Sequence, residues 1–224
     1  MKHSAERQKE WLRSHPFVQQ LSARLREPLP GARAHARMTH PARYRQRVAP
    51  PDARQAGVMA LLFPKEGEWH LTFIERQAHN PDDRHGGQIS FPGGSREPGD
   101  ATLAHTALRE TEEEVGVPAT HVLLLGALTP LYIPVSNFDV HPWVGVVAAP
   151  PVFRPQESEV RAVLTAPLSW FGRPEAVQRG TIRVHPGVEL HDVPWFDLHG
   201  KVLWGATAMM LSELLELALP ALPR

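Results

Sequence analysis

The sequence contains no cysteine. That excludes a disulfide framework, a zinc–thiolate site and a cysteine nucleophile, so any metal must be held by oxygen or by histidine. Among 13 histidines none forms a spaced metal-binding pair. Long apolar runs are missing too. Nothing approaches the roughly 18–20 consecutive apolar residues that span a bilayer, and no charged start leads into an apolar stretch and a cleavage site. A soluble, cytoplasmic protein with no membrane partner is the expectation. Net charge is the third absence, because 24 lysines and arginines balance 24 aspartates and glutamates. The balance is uneven along the chain: residues 1–54 hold 12 basic and 4 acidic side chains, an excess of +8, which leaves −8 on the remainder. An acidic body repels a phosphate backbone and no aromatic platform with interleaved Lys or Arg is present, so nucleic acid is not expected as a partner.

The 224 residues divide by composition. Residues 5–27 place Trp11, Leu12, Phe17, Val18, Leu21 and Leu25 at partly helical spacing, interrupted at Pro16, where a helix breaks or restarts. Residues 28–54 are rich in Pro, Arg, Ala and His and read as an irregular arm, docked or solvated. We therefore read 1–54 as a basic helical extension and arm, and 55–224 as one domain. The domain opens with an apolar run, Val58 to Phe63, then turn composition at 64–68 and β-formers from Trp69 to Ile74, which predicts a hairpin. A glycine- and proline-rich loop follows to Gly94. A helix comes next, then strands at 121–128 and 140–149, a proline-punctuated segment, and an apolar helix at about 206–219. Strands flanking a central helix with another helix at the end indicate a mixed α/β (α+β) domain.

The central helix carries the chemistry. In GGSREPGDATLAHTALRETEEEVGVP, residues 93–118, Asp100 is the expected N-cap, and Gly116 followed by Pro118 supplies the stop. On a helical wheel Ala104, Leu108, Thr111 and Val115 fall within roughly 40° of one another and form the packing face. Glu113, Glu110 and Glu114 lie at roughly 180°, 240° and 280° from Ala104, so they share the opposite face. Like charges at these spacings repel, and the helix C-terminus disfavours anions. Both penalties vanish if a divalent cation binds, and hard oxygen ligands suit Mg²⁺ or Mn²⁺. Phe91, Gly93 and Gly94 just upstream are expected substrate contacts, the two glycines letting the main chain approach an anion.

This pattern resembles the signature of the Nudix hydrolases: G, five residues, E, seven residues, R-E-U-x-E-E-x-G-U. Arg109-Glu110, Glu113-Glu114, Gly116 and Val117 match. Thr111 replaces the first aliphatic residue, Asp100 fills the first acidic position, and one extra residue separates it from Arg109. The resemblance implies the Nudix fold, a mixed sheet sandwiched between helices. It also implies hydrolysis of a nucleoside diphosphate linked to another group. Glu110 and Glu114 would be the usual pair of metal ligands and Glu113 a third ligand or a base, with Arg109 orienting the carboxylates. A homodimer is a family-level expectation.

Arg76, Arg84 and the stretch Gly87 to Gly94 are similar to the motif upstream of the box in the coenzyme A pyrophosphatase branch, although Glu75 and Gln77-Ala78 depart from it. That resemblance implies coenzyme A or an acyl derivative as substrate, with Arg76 and Arg84 as phosphate clamps. Asn137 reads either as a turn former or as a substrate contact. Trp204 and the apolar run after it read as core and helix packing. ADP-ribose, dinucleoside polyphosphates and oxidised nucleotides remain rival substrates, and a fold that binds without turnover remains a rival role.

Overall fold

The computed structural model describes residues 2–40, 48–78, 86–185 and 188–222. Arg84, expected as a phosphate clamp, and His85 lie outside the described residues. The chain opens with α1 (Lys2–Ser14) and α2 (Pro16–Arg24). Pro16 does restart the helix: it occupies the first turn, where its missing N–H costs nothing, and the His15 ring accepts the Phe17 amide. Helix α3 (Ala32–His35) and a 3-10 turn to Met38 give the arm local structure that its composition does not announce.

The expected hairpin forms from β1 (Arg54–Lys65) and β2 (Glu68–Arg76), with Leu62 opposite Leu71. Its turn is only Glu66-Gly67, both at positive φ, so the strands run through Pro64 and Lys65. Short strands β3 (Ile89–Ser90) and β4 (Gly93–Ser95) lead to the central helix, α4 (Leu103–Val115). Strands β5 (Leu123–Ala127), β6 (Leu131–Ile133) and β7 (Phe138–Val146) follow. The proline-punctuated segment contains β8 (Val160–Pro167), a short α5 (Leu168–Phe171), and a three-stranded sheet of β9 (Val177–His185), β10 (Val188–Leu198) and β11 (Lys201–Trp204). Helix α6 (Gly205–Ala218) is the expected apolar helix.

Among the described residues eight strands form one mixed sheet in which β1 and β7 run parallel and the remaining pairs are antiparallel. Strand β1 lies at its centre, and its alternation feeds two cores. Met59, Leu61 and Phe63 pack with Ala107 and Val115 of α4. Ala60 and Leu62 join Met210 and Leu214 of α6 together with Leu12, Phe17 and Leu21 of the extension. The sheet is therefore covered by α4 on one face and by α6 with the N-terminal helices on the other, a Nudix arrangement. No helix among the described residues is long and apolar enough to cross a membrane.

Candidate active site

Thr102, not Asp100, caps α4: its hydroxyl accepts the His105 amide. Asp100 lies two residues further out because the turn at 97–100 folds its carboxylate back under the helix. There it accepts the Glu97 amide at 3.0 Å, the Thr106 hydroxyl at 3.0 Å, and the Arg109 guanidinium at 3.2 and 3.1 Å. These bonds, that from Arg109 foremost, hold its carboxyl near pH 2 against the opposing effect of burial. Gly116, at φ +73°, ends the helix as its sequence requires.

Arg109 is the hub of the site. Besides Asp100 it donates to the Ser95 carbonyl at 3.0 Å and to Glu113 at 2.8 Å, and it lies 3.0 Å from Glu110. These anions, Asp100 first, keep the guanidinium firmly protonated. The three carboxylates expected on one face do not share one environment. Glu113 is half exposed and engaged by Arg109, whereas Glu110 and Glu114 are buried, Glu114 to 1% exposure. What buries them is β4, whose glycines admit them. The Gly93 amide donates to Glu114 at 2.7 Å. A Cβ on Gly94 would stand 2.5 Å from a Glu110 oxygen, and one on Gly93 would meet the Gly57 carbonyl at the same distance. Gly93, at φ +152° against backbone, is closed to any other residue, whereas a side chain at Gly94 would displace the Glu110 carboxylate.

Burial leaves this pair short of positive charge. Desolvation raises the pKa of Glu110, with Arg109 opposing, and lifts that of Glu114 to about 8, against the Gly93 amide and Arg76. Arg76 stands 3.7 Å from Glu114. Glu159, from the loop whose Gln156 amide caps the Glu114 carbonyl, adds further negative potential to both. Among the described residues no group of three or more histidines, aspartates or glutamates is gathered to cage a metal alone. Glu110 and Glu114 instead make an open set of hard oxygens, and this fits an ion that keeps several waters and completes its shell with substrate phosphate. The buried, under-compensated charge is itself the feature such an ion would neutralise.

A cavity of about 900 Å³ adjoins the pair, lined by Arg76, Phe91, Gly93 and Gly94 on this side. Phe91 also stacks on Phe73 in the core, at 5.3 Å. Trp204, read from sequence as packing, lines the cavity, as do Met209 and Met210 of α6. Asn137 does not. It adopts φ +52°, accepts from the Tyr132 hydroxyl and donates to Asp52, so it serves the turn before β7 while its neighbours Ser136 and Phe138 reach the cavity. Sequence reasoning missed Met38 and His40 of the arm and the side chains of β9 and β10 that complete the wall. No local signal marks them, because only tertiary packing brings them there.

Residues 53–199 match the NUDIX domain family model. The chain is 38% identical over 162 residues to the uncharacterized Nudix hydrolase NudL of Yersinia enterocolitica, covering 70% of this chain and 79% of that one. It is likewise 38% identical over 170 residues to the NudL of Salmonella paratyphi B, covering 72% and 81%. Among solved structures, a MutT/nudix family protein from Enterococcus faecalis aligns with a TM-score of 0.47 at 15% identity, over 82% of this chain and 70% of that one. The matched domain spans more than half of the chain and centres on the helix that carries Arg109 to Glu114; the protein belongs to the Nudix hydrolase family, whose members generally use divalent cations to act on nucleoside diphosphate derivatives.

Proposed function

We propose that this Nudix hydrolase is a Mg²⁺- or Mn²⁺-dependent pyrophosphohydrolase that cleaves the diphosphate of coenzyme A or an acyl-coenzyme A, releasing 3′,5′-ADP and the (acyl-)4′-phosphopantetheine. The observation that carries the reading is the buried Glu110–Glu114 pair set against β4 beside a cavity in the size range of ligand sites, roughly 300–1,000 Å³. Glu110 and Glu114 would hold the cation, with Glu113 and Glu159 at its margin. When bound, the ion lowers the pKa of a coordinated water and offsets charge on the diphosphate oxygens. Arg109 fixes the carboxylates, anchored in turn on Asp100. Arg76, on the cavity wall and next to Glu114, is suited to clamp a phosphate through its planar fork. Arg84 is assigned a similar role from its sequence context. A cytoplasmic homodimer acting on a small molecule, with neither nucleic acid nor membrane as partner, completes the proposal.

The test is incubation with Mg²⁺, and in parallel Mn²⁺, of coenzyme A, ADP-ribose, diadenosine polyphosphates and NADH in ¹⁸O-labelled water, with products identified by mass spectrometry. Selective formation of 3′,5′-ADP and phosphopantetheine is expected. Preferential cleavage of another compound would discard coenzyme A and keep the chemistry. No cleavage of any would make this a fold that binds without turnover.

A further inference from the structure

Glu213 on α6 is fully buried and ties three segments together. Its carboxylate accepts the Gly31 amide at 2.9 Å, the Thr129 amide at 3.0 Å and the Thr129 hydroxyl at 2.6 Å, and it meets His35 Nε2 at 3.1 Å. The adjacent Ser212 hydroxyl donates to the Ala34 carbonyl at 2.9 Å. On the outside Arg33 and Arg37 pair with Glu216 at 2.7 and 3.2 Å. A buried carboxylate is costly unless every lone pair is satisfied, and here the arm supplies the Gly31 amide and His35, with Thr129 supplying the rest. The latch fixes residues 31–35 on α6, and the chain then delivers Met38 to the cavity.

At that end the cavity changes character. Met38 of the arm, Val184 of β9, Leu190 and Val193 of β10, and Met209 and Met210 of α6 all line it, and His40 beside them is already bonded to the His191 carbonyl at 3.0 Å. Apart from His40, these side chains are aliphatic or thioether, adaptable in shape and without an N–H or O–H to offer a base or sugar. Arg76, Gly93 and Gly94 line the same cavity, so the apolar wall is continuous with the candidate catalytic side.

We infer that residues 31–40, latched by Glu213, complete an apolar subsite of the cavity that takes an apolar tail carried on the non-nucleoside side of a substrate diphosphate. The inference rests on the proposed hydrolysis at Glu110 and Glu114. Glu213 is then a positioning residue, acting through Met38.

The experiment measures kcat/KM with Mg²⁺ for adenosine diphosphate esters bearing methyl, butyl, octyl and dodecyl groups on the β-phosphate. About a two- to fourfold gain per buried methylene is expected until the cavity is full. In Glu213→Gln the octyl-to-methyl ratio falls tenfold or more. A merely structural role would lower all rates alike and leave the ratio unmoved. Leu190→Asp, at a half-buried position on β10, collapses the ratio as well and keeps the test intact should Glu213→Gln fail to fold. A wild-type ratio near one, or a ratio unmoved in Leu190→Asp, overturns the subsite. If no ester is cleaved, calorimetric binding of the methylene-bridged analogues separates the two claims. Affinity that rises with tail length upholds the subsite and overturns the hydrolysis; affinity independent of the tail overturns the subsite.

Discussion

At the scale of single residues Glu114 matters most, because burial pushes its carboxyl up to about 8 in the fold from 4.5 ordinarily. Between those values the folded protein holds a proton that the unfolded chain has released, so metal-free stability falls as pH rises through that window. Glu114→Gln keeps the shape and can still accept the Gly93 amide. It is expected to melt higher than wild type at pH 8 without metal, by roughly 2–4 °C for each kcal/mol recovered. Mg²⁺ at about 100 times its Kd adds about 2.7 kcal/mol to wild type, and this gain should vanish in the variant. A variant that melts lower and still responds fully to Mg²⁺ would sink the assignment. Asp100→Asn should weaken the anchor of Arg109 and cost about 1.5–3 kcal/mol in urea unfolding, as hydrogen bonds to charged groups do; an unchanged midpoint would deny Asp100 that role. The spacing of Arg109, Glu110, Glu113 and Glu114 was legible because one helix carries them. Asp100 was misread as a cap because its real partner is nine positions away, across a turn whose closure no local pattern announces.

At the scale of elements the decisive contact is between α4 and the β1–β4 pair. Gly57 lets the helix approach: an added Cβ would run into the Leu103 carbonyl. Gly57→Ala is therefore expected to push the helix off the sheet and cost about 1–3 kcal/mol as overpacking does, measured by denaturant midpoint. Thr102→Ala, which removes only the cap, should cost about 1 kcal/mol. If the two cost the same, close approach at Gly57 is not what limits the packing. The hairpin, α4 with its Gly116 exit and α6 could all be read from period and punctuation. The faces of α4 could not, since helical geometry places Glu110 and Glu114 away from the apolar stripe and only the bare glycines of β4 make that side burial-competent. The strands after residue 150 escaped reading for a different reason. Pro167 and Pro194 interrupt their patterns, and β8 pairs with β2, remote in sequence.

At the scale of the whole molecule the extension is part of the body that it precedes, sharing a core with Trp69 and Leu128 through Leu12, Phe17 and Leu21. Its basic composition marked it as distinct, yet nothing in the sequence disclosed that Glu213 would hold it. Burial would raise the Glu213 pKa, but hydrogen bonds from His35, Thr129 and Gly31 outweigh it and hold the carboxyl below its ordinary 4.5. A depressed carboxylate stabilises above its unfolded pKa and loses that contribution as pH falls through the folded one. The arm should therefore become protease-sensitive in acid, below about pH 4.5, before the domain unfolds, and Glu213→Gln should show that sensitivity already at neutral pH. Simultaneous loss of arm and domain would mean that the latch has no separate stability. The central claim is that Glu110 and Glu114 hold the cation that drives hydrolysis. The most direct measurement is turnover of coenzyme A by Glu110→Gln at saturating Mg²⁺, beside its melting temperature and Mn²⁺ binding by electron paramagnetic resonance. We predict a rate lower by orders of magnitude and weakened Mn²⁺ binding in a protein that still folds; an unaltered rate would contradict the account.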